Sequence, residues 1–237
     1  MAGSGKLFLL PVWLGESGGT ELLPPANIAL AERLTLFFCE QERTARRMLR
    51  RMSATIDLGA VELHVLDKDT DAATLSAMAE LLGTRDAAIL SEAGMPCIAD
   101  PGARLVAEAH RRGVQVVPLS GPSSLLLALA ASGMNGQRFT FHGYLPREAA
   151  ARKQQIRKVE HQSQQEAAAQ LFIETPYRND ALLADLLAQC NGSTRLCLAI
   201  DLDQPGGSVS TRTVAQWRKA VPVLGKRPCV FIIQVGA

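Results

Sequence analysis

Residues Ala87 to Leu119 read AAILSEAGMPCIADPGARLVAEAHRRGVQVVPL, and the order of residue types within them decides the fold. A short apolar run ends at Leu90, and a β-branched run from Val114 to Leu119 closes the stretch. Between them lie a loop rich in Gly and Pro and then a helical pattern. Asp100 is placed as the helix N-cap, Pro101 at the first helical position and Gly113 just past the end. Leu105, Val106 and Ala109 line one face of that helix, while Arg104, Glu108, Arg111 and Arg112 cover the other. Strand, helix and strand in so few residues predict a βαβ unit with parallel strands. The loop Glu92–Ala99 then hangs from the carboxyl end of a strand, where open α/β sheets bind ligands.

Working outward, the same alternation recurs. Strands are expected at Leu7–Val12, Leu34–Cys39 and Leu63–Leu66, and helices at Thr44–Met52 and at Ala72–Leu82, closed by Gly83. Gly15–Thr20 and Pro24-Pro25 read as punctuation after the first strand, and Ala2–Lys6 as a flexible start. Pro118-Leu119-Ser120-Gly121-Pro122 marks a domain boundary, giving an N-terminal α/β domain over 1–119 and a C-terminal one over 120–237. The helix LLLALAAS that follows is apolar all round, so burial on every side is expected. Further on, strands are expected at Phe139–Tyr144, Leu171–Glu174, Leu196–Leu202 and Pro228–Val235, with an edge segment or hairpin at Gly206–Thr211. Helices are expected at Glu148–Ala167, Arg178–Gln189 and Val214–Ala220.

Composition excludes several classes. A net charge of +2 over 237 residues is too small for bulk charge to announce a nucleic-acid binder, so any such role rests on a local patch. Five cysteines without a C-x-x-C pair and four dispersed histidines predict reduced thiols, a cytoplasmic location and no metal site. No run is long enough to cross a membrane, and the start lacks a signal-peptide core. There is no G-x-G-x-x-G after a strand, no phosphate loop and no G-x-S-x-G elbow. Three loops marked by Gly and Pro stand out instead: Ser91–Gly102, Ser120–Ser124 and Glu174–Arg178. Three such loops at strand ends, on both sides of the boundary, point to a ligand cleft.

SEAGMPCIADPG, VVPLSGPSSLLLALAASG, FHGYLPRE and ETPYR, in that order, resemble the tetrapyrrole-methylase-like (class III) methyltransferases that use S-adenosylmethionine. Within them the chain is most similar to the branch of ribose 2′-O-methyltransferases of small-subunit ribosomal RNA. It departs from that branch at two places. Trp13-Leu14-Gly15-Glu16 stands where the branch carries Gly-Asn-Leu, and Glu40-Gln41-Glu42-Arg43-Thr44 where it carries Glu-Asp-Thr-Arg. The branch also carries a further C-terminal domain for which 237 residues leave no room.

The resemblance implies two α/β domains with the cofactor folded into a cleft between them, in a homodimer. By the same mapping Gly94, Met95, Pro96, Ile98, Ala99 and Asp100 line the methionine and ribose end, Ser123 and Ser124 supply hydroxyls, and Pro11 lies at the cleft floor. Thr175, Pro176 and Tyr177, with Leu198 and Ala199, hold adenine. A ribose hydroxyl is a poor nucleophile that benefits from a base. Glu92 is the first choice for positioning the acceptor or taking its proton, and Glu40 the second, while Asp100 reads first as a helix cap. Arg43, Arg46, Arg47, Arg50 and Arg51 crowd one helix, where they could grip RNA phosphates or simply form a solvated face. Arg178 could steady a phosphate or pair with a carboxylate, and His142 reads as a satisfied strand position. An RNA methyltransferase is the expected function. Two alternatives stay open: a methyltransferase for a small molecule such as a tetrapyrrole-like ring, and a module that binds cofactor or RNA without catalysis.

Overall fold

The computed structural model describes residues 5–236, so most of the flexible start expected at Ala2–Lys6 lies outside the described residues, and Lys6 already belongs to a strand. The chain forms two compact units that divide between Ser123 and Ser124. Residues 120–123 belong with the first unit for physical reasons. The Asn27 amide donates to the Ser120 carbonyl at 2.8 Å, and Gly121 packs directly on the Pro11 ring.

In the first unit five strands, β1 (Lys6–Leu10), β2 (Leu36–Cys39), β3 (Glu62–Val65), β4 (Ala87–Leu90) and β5 (Gln115–Pro118), form one sheet in the order β3-β2-β4-β1-β5. Every pairing is parallel. The two strands of the opening stretch are therefore parallel as expected, with β1 between them. Helices α1 (Pro25–Ala31) and α2 (Glu42–Met52) cover one face, and α3 (Ala72–Leu81) and α4 (Ala103–Arg111) the other. The strands alternate accordingly. Leu10, Phe37, Cys39, Ala88 and Leu90 pack under α1 and α2, while Leu7, Leu36, Phe38, Ala87 and Ile89 pack under α3 and α4. A strand covered on both faces reads as a continuous apolar run, which explains why β2 and β4 show no polar alternation.

Three expectations are corrected here. The first strand stops at Leu10, two residues short of Val12. Pro24-Pro25 starts a helix rather than merely stopping a strand, because a proline at the first helical position lacks only an N–H that would be unpaired anyway. Helix α4 begins at Ala103 with Gly102 at its N-cap, so Asp100 and Pro101 lie in the preceding turn. Asp100 accepts the N–H of Gly102 at 3.2 Å and that of Cys97, so it closes its own loop instead of capping the helix. The other end of α4 behaves as its sequence demands. Gly113, at φ +70°, donates to His110, and Val114 donates back to Ala109 at 2.9 Å, a Schellman closure.

The second unit is a five-stranded mixed sheet in the order β6-β7-β10-β8-β9. Its strands are β6 (Phe139–Tyr144), β7 (Ala169–Ile173), β8 (Arg195–Ile200), β9 (Ser208–Thr213) and β10 (Cys229–Gln234). Only the β6–β7 pair is parallel. The edge hairpin expected near Gly206–Thr211 is β9, antiparallel to β8. Helices α6 (Ala149–Glu166), α7 (Asn179–Gln189) and α8 (Val214–Lys219) pack on one face around Ile156, Leu182, Leu186 and Trp217, and α5 (Ser124–Ser132) covers the other. Helix α5 is not buried on all sides. Ala128 and Leu129 meet the sheet, while Leu126 and Leu127 are 54% and 39% exposed. Among the described residues no helix is long and apolar enough to cross a membrane.

Candidate functional site

All five strands of the first sheet run the same way, so the segments after their carboxyl ends gather along one edge. Strand β4 lies between β2 and β1, whose connections run through α2 and α1 on one face, whereas its own runs through α4 on the other. Loops diverging in this way leave a crevice above the strand ends. The loop after β4 is tied to the one after β1. Val12 N–H donates to the Gly94 carbonyl at 3.0 Å, Gly94 N–H to the Trp13 carbonyl at 3.2 Å, and the Ser91 hydroxyl to the Gly94 carbonyl at 2.8 Å. Three residues of the loop, Gly94, Cys97 and Ala99, have φ of +70°, +68° and +59°. For Cys97 and Ala99 this left-handed backbone costs about 1–2 kcal/mol each, and such conformations cluster at functional sites. Pro96 and Gly94 are buried, Met95 is half-buried, and Glu92, Ile98 and Ala99 are exposed. Pro11 is buried beneath Gly121, and Ser123 is buried at the end of the loop after β5.

The charged part of this edge is a carboxyl pair that the sequence did not join. Glu40 follows β2 directly, and Cys39 pairs in register with Leu90 of β4, which brings Glu40 to the loop carrying Asp100. A side-chain interaction couples the two carboxyls, raising Glu40 and lowering Asp100. Burial, followed by the charges of Asp100 and Glu92, pushes the Glu40 carboxyl up to about 7. Burial also raises Asp100, against the Gly102 and Cys97 amides that favour its charged form. Of the two carboxylates chosen from sequence, Glu92 is thus exposed, and Glu40 is the one held partly protonated near neutral pH. The cysteines Cys39 and Cys97 nearby are driven up to about 11 and 12 by burial and are inert thiols.

The arginines of α2 divide by role. Arg46 donates to the Leu58 carbonyl at 3.0 Å and Arg50 to Ala54 at 2.9 Å. Arg51 donates to the Gly15 carbonyl at 2.9 Å and to Gly18, and stacks on the Trp13 ring at 4.0 Å, while the Trp13 indole donates to Gly19 at 2.7 Å. Arg51 is therefore a latch on the loop after β1, a role its place in a run of arginines did not signal. Replacing Arg51 with Ala is expected to cost about 1–2 kcal/mol of stability, from a lost cation–π contact and two charged hydrogen bonds. Amide exchange should accelerate across residues 14–19 and stay unchanged in α3 and α4; equal acceleration everywhere would contradict the latch. Arg43 and Arg47 remain exposed.

In the second unit Ser124 opens α5, and Thr175, Pro176 and Tyr177 lie between β7 and α7 in a turn ending at Arg178. Tyr177 is 79% exposed, with the Lys226 ammonium 5.0 Å from its ring centre. Arg178 pairs with the buried Glu174, which takes the carboxylate alternative over a free phosphate-binding role. Leu198 and Ala199 are interior positions of β8, paired on both sides by β10 and β9, with side chains fully buried in opposite faces of the sheet. They build the core of this unit rather than a ligand surface. His142 meets the buried Gln170 side chain at 2.7 Å, the satisfied strand position expected for it. Among the described residues no group of three His, Cys, Asp or Glu side chains could hold a metal ion.

Comparison with known proteins places this architecture. The family model described as Tetrapyrrole (Corrin/Porphyrin) Methylases matches residues 17–201. The chain is 30% identical to a protein of Pseudomonas aeruginosa named ribosomal RNA small subunit methyltransferase I, over 90% of this chain and 72% of that protein. A protein of the same name from Xylella fastidiosa is 33% identical over 84% of this chain and 68% of its own length. The crystal structure of the methyltransferase CobJ superimposes with a TM-score of 0.63 at 19% identity, covering 99% of this chain and 95% of that one, a likeness of fold. A family match over more than half the sequence and a shared fold lead to one conclusion: the chain belongs to the tetrapyrrole (corrin/porphyrin) methylase family and is a methyltransferase.

Proposed function

We propose that this protein transfers a methyl group from S-adenosylmethionine to a ribose 2′-hydroxyl of small-subunit ribosomal RNA. The observation that carries the reading is the Glu40–Asp100 pair at the carboxyl edge of the first sheet, beside the strained loop Gly94–Ala99. The names of the relatives supply the substrate class. The edge suits the cofactor in chemistry. S-adenosylmethionine carries a sulfonium and an ammonium, and Glu92 and Asp100 place negative charge here; the backbone of Gly94–Ala99 and the Ser123 hydroxyl offer polar contacts. When bound, the cofactor supplies an electrophilic methyl group.

The rest is the work of the chain. The loops after β1, β4 and β5 hold the acceptor in line and exclude water, because an in-line displacement depends mainly on alignment. Glu40 takes the proton that the ribose hydroxyl loses as its new bond to carbon forms. Burial, followed by the Asp100 carboxylate beside it, makes Glu40 more basic than a solvated glutamate, and a base poised near neutral pH is suited to that transfer. A cytoplasmic homodimer belongs to the same reading, and light scattering on the full chain would report twice the monomer mass.

Labelled S-adenosylmethionine offered with small ribosomal subunits from a strain lacking the protein tests the assignment. One methyl group should be incorporated at one ribose, and that modification should be missing from the deletion strain. Absence of transfer to RNA, with an unchanged modification map, would remove the substrate; transfer to a tetrapyrrole-like ring instead would replace it.

A further inference from the structure

Helix α2 starts two residues after Glu40, so its exposed face leads away from the carboxyl edge. Arg43 and Arg47 are one helical turn apart on that face, with side chains about 5–6 Å apart at Cβ, and Arg50 continues it one turn further. Arg46 and Arg51 are taken up by the carbonyls of residues 58, 15 and 18, and they fix the helix and the neighbouring loop rather than facing outward. Arg47 pairs with the Glu16 carboxylate of the loop after β1 at 2.8 Å. Both side chains are mostly exposed, 59% and 67%, so the pair is solvent-screened, and Arg51 latches the loop that carries Glu16. The Glu16 carboxylate oxygen on the Arg47 guanidinium occupies the place a phosphate oxygen would take, since both are anionic oxygen acceptors for a guanidinium N–H.

We infer that Arg43 and Arg47 form a contact strip for the RNA phosphate backbone and that Glu16 is its built-in counter-ion, exchanged for a phosphate when RNA binds. The inference rests on the RNA reading above and narrows five arginines to two. The strip positions RNA and carries no sequence information, as phosphate contacts do. Glu16 holds Arg47 in place in the free protein and makes non-specific RNA compete against an internal anion. Glu42, also exposed at the start of α2, is a further acid next to Arg43 in the chain.

The test measures binding of the full chain to protein-free small-subunit ribosomal RNA across salt concentrations, alongside methyl transfer to assembled small subunits. Arg43→Ala and Arg47→Ala lie at exposed positions where Ala keeps the helix, so folding is retained. Each should reduce the slope of log affinity against log salt by roughly 0.7–0.9. Glu16→Gln should tighten binding about three- to tenfold at low salt, and that gain should vanish in the Glu16→Gln/Arg47→Ala double variant. Unchanged slopes in a protein that binds and methylates RNA would overturn the strip and leave the substrate reading standing. A wild-type chain that neither binds nor methylates this RNA would overturn both.

Discussion

The Glu40→Gln variant is expected to lose methyl transfer by a factor of about 10²–10⁴ in kcat while keeping its KM for RNA, the range removed with a general base. Wild-type kcat should rise with pH and level off as Glu40 ionises, near pH 7, whereas the residual rate of the variant should be flat there. A wild-type rate independent of pH from 5.5 to 8.5, or a variant of undiminished kcat, would refute the role of Glu40. The same substitution has a stability consequence of opposite sign. The folded pKa of Glu40 lies above its unfolded value of 4.5, so the native state binds more protons than the unfolded one between about 4.5 and 7. Wild-type stability therefore falls as pH rises through that window, and the penalty is fully present above it. Glutamine keeps an N–H donor for Asp100 and carries no charge. Glu40→Gln should match the wild type near pH 4 and be more stable at pH 8 by on the order of 1 kcal/mol, once solvent screening of this half-buried group is allowed for. Urea unfolding at the two pH values reads that difference, and a variant that is both less active and more stable would separate a site residue from a scaffold residue.

Gly94→Ala should destabilise the first unit by about 2–5 kcal/mol. Two costs add. Alanine at φ +70° loses about 1–2 kcal/mol against glycine, and its Cβ would lie 2.7 Å from Leu14 Cδ2 and 3.1 Å from the Pro122 carbonyl oxygen, an overpacking cost of about 1–3 kcal/mol. Gly113 supplies the control, because it has the same φ of +70° and nothing within 4 Å of a built Cβ. Gly113→Ala should therefore show the conformational cost alone, about 1–2 kcal/mol. Urea unfolding followed by Trp13 fluorescence in a Trp217→Phe background reports on the first unit, since the Trp13 carbonyl accepts the Gly94 N–H. Equal effects at the two glycines would mean that Leu14 and Pro122 yield freely. Gly94 thus belongs to the architecture of the edge, and a bulky residue there would disturb the loop itself before it could report on a ligand.

Local chemistry along the chain is what its sequence resolved well. Apolar runs at β2 and β4 and the Gly113 closure of α4 each follow from a few neighbouring residues. The α1 helix was legible too, in Asn27, Leu30, Ala31 and Leu34 at helical spacing, but two prolines obscured it. The apolar surround of α5 misled for a related reason: composition tells how much surface wants cover and not how many neighbours arrive to cover it.

By itself, then, the sequence determined the α/β alternation, the Gly- and Pro-marked loop after β4 and the family resemblance, because each is written in adjacent residues. The tertiary structure alone decided that Glu40 meets Asp100, that Arg51 holds the β1 loop and that Leu198 and Ala199 are core. Those outcomes depend on which strands are neighbours. The order β3-β2-β4-β1-β5 sets β2 beside β4 although the helix α2, strand β3 and helix α3 separate them along the chain. Five parallel strands with the same apolar faces could be ordered otherwise without changing any local pattern, so only the assembled sheet fixes which loop ends meet.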